Sequence, residues 1–514
     1  MGQAIRIKKG VPDKAMEPIS DADFSDMQGL LRFGYGKLTA ACYLLLYIED
    51  AVSARHWLVN APVSSAEIQT PPPSRTLQIA FSAQGLSRLG LSATLLQGFS
   101  DEFLSGMVGD DNRSRRLGDV GPNAPEGWQW GAPTSVPDAV VMIYATAELF
   151  DEWKNTLQFS LLQSGFSLIA CLPTSDMGGI EPFGFVDGVS SPVVDWDRRR
   201  DPSGDKLSYE NLVMLGEFVL GYPNEYGKYT TRPLVADSSA NLPDAEDSPN
   251  MKDLGRNGTY LVIRHIEQDV RGFWRYLDQE AKSDAQQLAE SMVGRKMSGD
   301  SLLPLTSDPI SGVASDDQRN RFTFDSDPNG IACPFGAHIR RTNPRNTDLP
   351  PRIPSEPLGR LLHILALDRY FKDNSFQHED RIASTRFHRL IRRGREYGPK
   401  LTPEQRLQPT PPGEAPTGLV FVCINANIGR QFEFIQSSWM ASTKFDGLSG
   451  ESDPLLGNRE PVSGCPANKF TIPSASGLRR QLTDVPRFTT IRGGAYFFLP
   501  GLRALRYLAL GGLA

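Results

Sequence analysis

Long apolar runs alternate with helical periodicities along the first half of the chain. LTAACYLLLYIED (38–50) reads as a strand buried on both faces, and VSARHWLVNA then opens a helical stretch. RTLQIAFS (75–82) and AVVMIYATA (139–147) are strand-like, ELFDEWKNTLQFSLLQSG is helical, and FSLIACLP is another strand. The order is βαββαβ. The second half repeats it with TYLVIRHIEQD (259–269), the helical VRGFWRYLDQEAKS, the strands FHRLIRRG and GLVFVCINAN, the helical GRQFEFIQSSWM and a last strand in AYFFLP (495–500). Such a repeat predicts an α+β protein built from two tandem ferredoxin-like units with antiparallel sheets and a crevice between them. Residues 1–227 are expected to form the first unit and 259–514 the second. The polar, Pro-, Ser- and Asp-rich stretch 228–258 is expected to link them. Stretches 297–330 and 346–386 read as irregular, the latter as an insertion partly covering a site, and RALRYLALGGLA as a short docked helix.

Composition narrows the class of partner. Hydrophobic residues at 39%, charged residues at 22% and a net charge of -6 describe an ordinary globular chain without the basic balance of a nucleic-acid binder. The five cysteines, Cys42, Cys171, Cys333, Cys423 and Cys465, form no CxxC pair, and three lie in apolar runs where a free thiol behaves as a small hydrophobe. A reducing, cytoplasmic setting is expected. No apolar run reaches the roughly 18 residues of a membrane span, and the N-terminal stretch MGQAIRIKKGVPDK has no apolar export core. A small molecule is the expected partner, and a homo-oligomer is compatible with the sequence.

The candidate chemistry centres on CPFGAHIRRTNPRNT (333–347), where His338 precedes a run of arginines. An imidazole suits the axial position of haem iron, and guanidinium groups a few residues away suit its propionates, which makes haem the first cofactor to consider and His338 its candidate ligand. GFVDG (184–188) sets Asp187 between Gly184 and Gly188, next to Phe185; glycines there let the backbone approach a flat ligand while the carboxylate is held over it. In FHRLIRRGREYG, strand alternation sends Arg392 and Arg393 to opposite faces, one toward a buried ligand and the other into solvent. Five other histidines compete for the iron: His56, His265, His363, His378 and, four residues before Arg392, His388. The acidic cluster Asp244, Glu246 and Asp247 is a candidate for collecting a hard cation such as manganese.

Taken together and in this order, CPFGAHIRRTNPR, GFVDG and the RRGxxYG strand resemble the dye-decolorizing peroxidase family. The likeness continues through DMQGLLRFGYGKL, LGDVGPNAPEGWQWG, GEFVLGYPNEYG, NGTYLVIRHIEQDV, QFEFIQSSWM and IRGGAYFFLPG. The resemblance implies haem b, one per chain, in a crevice formed mainly by the C-terminal half. It implies His338 as the proximal ligand, Arg345 and Arg340 toward the propionates, and Asp187 and Arg392 as the distal acid–base and electrostatic pair; Asn425, on the GLVFVCINAN strand, is a separate candidate for the neighbourhood of the imidazole. Hydrogen peroxide would be reduced through a ferryl intermediate and aromatic dyes and phenols oxidised, bulky ones at a surface residue: Tyr397, or else Trp274 or Trp439. Departures are Arg395 and Glu396, where the family more usually has Ile and Pro, and the spacing of 54 between His338 and Arg392, long for the family. The runner-up is a haem-carrying or iron-releasing protein, which needs His338 but no distal acid. A scaffold with a vestigial pocket is the third reading.

Overall fold

The computed structural model describes residues 18–200, 211–304, 316–345, 384–461 and 464–511. Its frame is one antiparallel sheet of nine strands. In the first half these are β1 (Ala40–Ile48), β2 (Arg75–Phe81), β3 (Ala139–Ala145) and β4 (Phe166–Pro173). In the second half they are β5 (Thr259–Gln268), β6 (Ile391–Arg392), β7 (Arg395–Tyr397), β8 (Gly418–Asn425) and β9 (Thr489–Leu499). The spatial order is β6-β8-β5-β9-β2-β3-β1-β4, with β7 extending β6 along β8. Each half therefore has its first strand central, its third strand on one side and its fourth on the other, the ferredoxin-like arrangement expected from the sequence. The last strand of the second half, β9, meets the second strand of the first, β2, at Phe498 and Phe81, so the two units share a continuous sheet.

Unbroken apolar strands require cover on both faces. One face of the first half carries α1 (Ala51–Val59), α2 (Ala147–Leu162) and the C-terminal α6 (Leu502–Ala509), packed on Leu44, Leu46, Ile79, Val141 and Ile143. The other face is closed by the segment from Met27 to Leu38 and by Val213–Tyr222, against Tyr43, Leu45, Leu261, Ile263, Val420 and Val422. The second half places α3 (Val270–Ala281), α4 (Ala285–Val293), the five-residue α5 (His338–Thr342) and the π-helical stretches Gly429–Glu433 and Ile435–Ala441 on its helical side. These do not lie flat on the sheet, and a cavity is left between them and β5, β8 and β9.

Two local expectations change. FHRLIRRG is not one strand: Ser384–His388 is a 3-10 turn, and only Ile391–Arg392 pairs before Arg395–Tyr397 resumes. The expected insertion lies outside the described residues from 346 to 383, together with His363 and His378. Among the described residues no helix is long and apolar enough to cross a membrane.

Phe498, fully buried, sits at the seam with its ring 4.9 Å from that of Phe99 and 6.3 Å from that of Tyr260. Phe498→Ala is expected to cost roughly 3–5 kcal/mol by transfer and cavity terms, read from urea unfolding of the protein. One shared transition for both halves is expected, and two separated transitions would contradict a continuous core.

Candidate active site

The cavity, about 250 Å³, is walled by Phe183, Phe185, Val189, Val293, Ile339, Leu419, Phe421, Phe432, Met440 and Leu455, with a small set of charged groups at chosen points. His338 enters from the start of α5. Its Nδ1 lies 2.9 Å from Oδ2 of Asp453, a fully buried carboxylate whose Oδ1 also accepts the N–H groups of Leu455 and Leu456 at 2.9 Å. Burial raises the Asp453 carboxyl, but the facing His338, these amides and Arg341 outweigh it and hold it below the usual carboxylate range. An anionic acceptor at Nδ1 fixes that nitrogen as the donor, so Nε2 presents its lone pair to the cavity. A carboxylate behind an imidazole in this way is the usual outer partner of a metal-binding histidine, orienting the ring and raising its basicity.

The arginines that follow His338 do something other than expected. Arg340 is buried and donates to Asp327 Oδ2 (3.1 Å) and Cys333 O (2.8 Å). Arg341 donates to Trp439 O (2.6 Å), Ser442 O (3.1 Å) and Glu451 O (2.6 Å), tying α5 to the π-helical segment and to the strand of chain that carries Asp453. Arg345 is fully buried, donates to Asn320 O and Phe322 O at 2.8 Å, and lies over the Phe322 ring. None of the three lines the cavity. They clamp the loop that carries His338, and the guanidinium groups that do line the cavity are Arg264, Arg295, Arg389 and Arg392. Arg295 and Arg389 converge on Ser190, at 2.9 Å from its Oγ and 3.4 Å from its carbonyl.

Asp187 and Arg392 meet as expected from the sequence. Arg392 Nη1 donates to Asp187 Oδ1 at 2.6 Å, and the Gly188 N–H donates to the same oxygen at 2.7 Å, leaving Oδ2 as the oxygen able to take a proton. Both side chains keep about a third of their surface accessible, 38% and 35%, because what they expose is the wall of the cavity. Burial among protein atoms raises the Asp187 carboxyl; Arg392, the Gly188 amide and, more weakly, His338 pull it down further, and the net is a carboxyl below its ordinary value. The backbone of GFVDG needs its glycines: Gly184 has φ +109° and a Cβ there would meet the Arg406 guanidinium at 2.5 Å, while Gly188 has φ +90°. Phe185 lines the cavity and Gly184 and Gly188 do not.

Arg393 takes the opposite face, as alternation demands, but it is not solvated. The N-terminal segment folds over that face, and Arg393 donates to Leu30 O (2.9 Å) and Leu31 O (3.3 Å). Burial lowers it to about 10. Tyr397 is also on that face, paired with Gly418, 8% exposed and edge-on to His265 at 4.8 Å, so it is neither at the surface nor on the cavity side. Trp274 is half-buried and donates from Nε1 to Phe183 O at 2.9 Å. Trp439 is half-buried and edge-on to His388 at 5.0 Å, and His388 lines the cavity.

His388 is stacked on Phe434 at 3.7 Å, donates from Nδ1 to Arg430 O, and is lowered by burial to about 4, so it is neutral. Asn425 is fully buried at the far end of β8 beside Cys423, and the neighbour of the His338 imidazole is Asp453 instead. The acidic cluster is already neutralised: Asp244 pairs with Lys252 (2.8 Å), Glu246 with Arg256 (2.8 Å) and Arg198 (3.0 Å), and Asp247 with Arg232.

No signal in the sequence linked Asp453 to His338, 115 positions away. Arg264 had one: a charge inside the apolar run TYLVIRHIEQ must be buried and matched, and it pairs with Asp119 at 2.5 and 2.7 Å at the cavity wall. A single imidazole backed by a carboxylate, an acid and guanidinium pair, further guanidinium groups and broad apolar walls form a donor set that fits a tetrapyrrole with two carboxylates.

No family model matches the chain. Peroxidase 2 of Mycetinis scorodonius is 28% identical over 94% of this chain and 87% of its own length. A multifunctional dye peroxidase of an Amycolatopsis species is 30% identical over 66% of this chain and 62% of its own length. A solved dye-decolorizing peroxidase in complex with 2,6-dimethoxyphenol has the same fold, with a TM-score of 0.67 and 22% identity over 95% of this chain and 99% of that one. The likeness runs through nearly the whole chain, and the relatives and solved structures to which it is similar are dye-decolorizing peroxidases, which are haem enzymes.

Proposed function

We propose that the cavity holds one haem b through His338 Nε2 and that the chain reduces hydrogen peroxide at the expense of aromatic dyes and phenols. The observation that carries this reading is the arrangement itself: a carboxylate-backed imidazole and an Asp187–Arg392 pair opening into one cavity. Arg295 and Arg389, rather than Arg340 and Arg345, are the groups placed to pair with the two propionates. Haem iron, when bound, supplies the Lewis-acidic centre that takes peroxide and the electrons that cleave its O–O bond. There Asp187 Oδ2 would take a proton from peroxide and return it to the oxygen that departs as water, and Arg392 would offer positive charge to that departing oxygen. A carrier has no use for such a pair, which favours the enzyme over the haem-handling alternative.

For reductants too large to enter, Trp439 is the better relay. It is partly exposed and reaches the cavity through His388, whereas the whole thickness of the sheet separates Tyr397 from it. The free thiols Cys42, Cys333 and Cys423, all buried, support a reducing cytoplasm.

Asp187→Ala is expected to keep haem and slow the peroxide-driven change of the Soret band by about a hundredfold or more. Because the Asp187 carboxyl lies below its ordinary value, it is a base throughout mildly acidic solution, and turnover is expected to peak below neutrality; a peak above neutrality contradicts this role. In steady-state assays, Trp439→Phe should depress oxidation of bulky dyes and spare small phenols, with Tyr397→Phe affecting neither selectively. The Asp453 carboxyl is also depressed, so its contribution to stability is present above about pH 4 and is lost as pH falls through its folded value. Acid unfolding of the haem-free protein should thus be less steep in Asp453→Asn, from a lower starting stability.

A further inference from the structure

Glu181 lies six residues before Asp187, and the mechanism above does not use it. Its carboxylate is turned into its own loop. Oε1 accepts the N–H of Phe185 at 3.0 Å, and Oε2 accepts the N–H of Phe183 at 3.0 Å and the side-chain amide of Gln268 at 2.9 Å. The main chain closes around the same residue: the Glu181 N–H donates to Phe185 O (2.9 Å), the Gly184 N–H to Glu181 O (2.8 Å) and the Asp187 N–H to Gly179 O (3.0 Å). Ile180 and Val186 bridge across the two limbs. The turn that ends in Asp187 is thus wound around one buried carboxyl group, and Gln268 fastens that group to β5.

We propose that Glu181 is the positioning residue that holds Asp187 opposite Arg392, and that it holds it more firmly when its carboxyl is protonated. The inference rests on the role given to Asp187 above. Apart from the neutral donors, the charged groups facing Glu181 are Asp187 on the same loop and Arg406 from the short helix Pro403–Arg406, whose guanidinium fills the space beside Gly184. Burial is the largest influence on the carboxyl and raises it; Gln268 and the two amides oppose this, Asp187 adds to it, and the group comes to rest at about 7.

The sign follows from linkage. The closed loop keeps its proton up to about 7, whereas an opened loop exposes a carboxyl of ordinary acidity. Stability of the closed loop is therefore full in acid and is lost as pH rises through 7. A protonated Glu181 can still accept from one amide through its carbonyl oxygen, and its hydroxyl can donate to Gln268 Oε1, a buried acceptor with no bond of its own in the deprotonated arrangement. The distal loop is then tightest in the same acidic range in which Asp187 works as a base.

The test is amide hydrogen exchange of residues 181–188 in the haem-free protein, corrected for intrinsic exchange, at pH 5.5 and 8.5. Wild type should show protection about tenfold or more greater at the lower pH, while Glu181→Gln, neutral at both, should show a pH-independent value. Equal wild-type protection at the two pH values, or the same pH trend in Glu181→Gln, overturns the proposal. The wild-type arm needs no variant to fold, and neither arm needs haem. Loss of the peroxidase reading would therefore leave this result standing, and a flat profile with intact peroxide chemistry would remove only the role of Glu181. In the haem-loaded variant, the ferric spectrum should be retained, and the pH dependence of the peroxide-driven Soret change should lose its limb near 7; an unchanged limb counts against the proposal.

Discussion

A buried carboxylate behind an imidazole is the constraint on which the site depends. Asp453 has no exposed surface, and a charge so placed is tolerable only if its oxygens are taken up by donors. Two backbone amides and His338 Nδ1 do this, and in doing so they decide which nitrogen of His338 faces the cavity. The arginines of the same motif complete the arrangement from behind. Arg341 binds the carbonyl groups of Trp439, Ser442 and Glu451, so the short helix bearing the histidine and the chain bearing its acid are held by one planar group. A five-residue helix has little stability of its own, and its precision comes from these long-range bonds.

The far wall is organised by a different logic. There the acid and the guanidinium remain partly accessible, and their geometry comes from the strand pairing of Arg392 with Cys423 and from the winding of the 179–188 turn. Asp187 and Arg392 thus sit next to a second carboxyl, that of Glu181, which burial raises to about 7.

The strands were legible because they are long apolar runs covered on both faces, and their order repeated well enough to reveal the duplicated topology. Local periodicity also separated Arg392 from Arg393. Carried four residues further, the same alternation puts Tyr397 with Arg393 and away from the cavity, since Arg392, Glu396 and their partners Cys423 and Leu419 share one face. What could not be read was the direction of side chains leaving a short helix. His338, Arg340 and Arg341 diverge by about 100° per residue, so adjacency in sequence did not place the arginines beside the histidine's ligand. Arg345 departs further, with φ +62° turning it into the Phe322 pocket. The acids Asp453 and Glu181 were silent because their partners are distant in the chain or are backbone amides, which carry no sequence signal. Arg393 was misjudged as solvated because nothing local announced that residues 30–32 would cover it.

The most direct test of this account is the electron paramagnetic resonance and optical spectrum of the ferric protein, loaded with haem, for wild type and His338→Ala. Wild type is predicted to show an axial imidazole signature that the variant loses and exogenous imidazole restores. Haem bound with an unchanged signature in His338→Ala would contradict the claim that this side chain, oriented by Asp453, holds the iron.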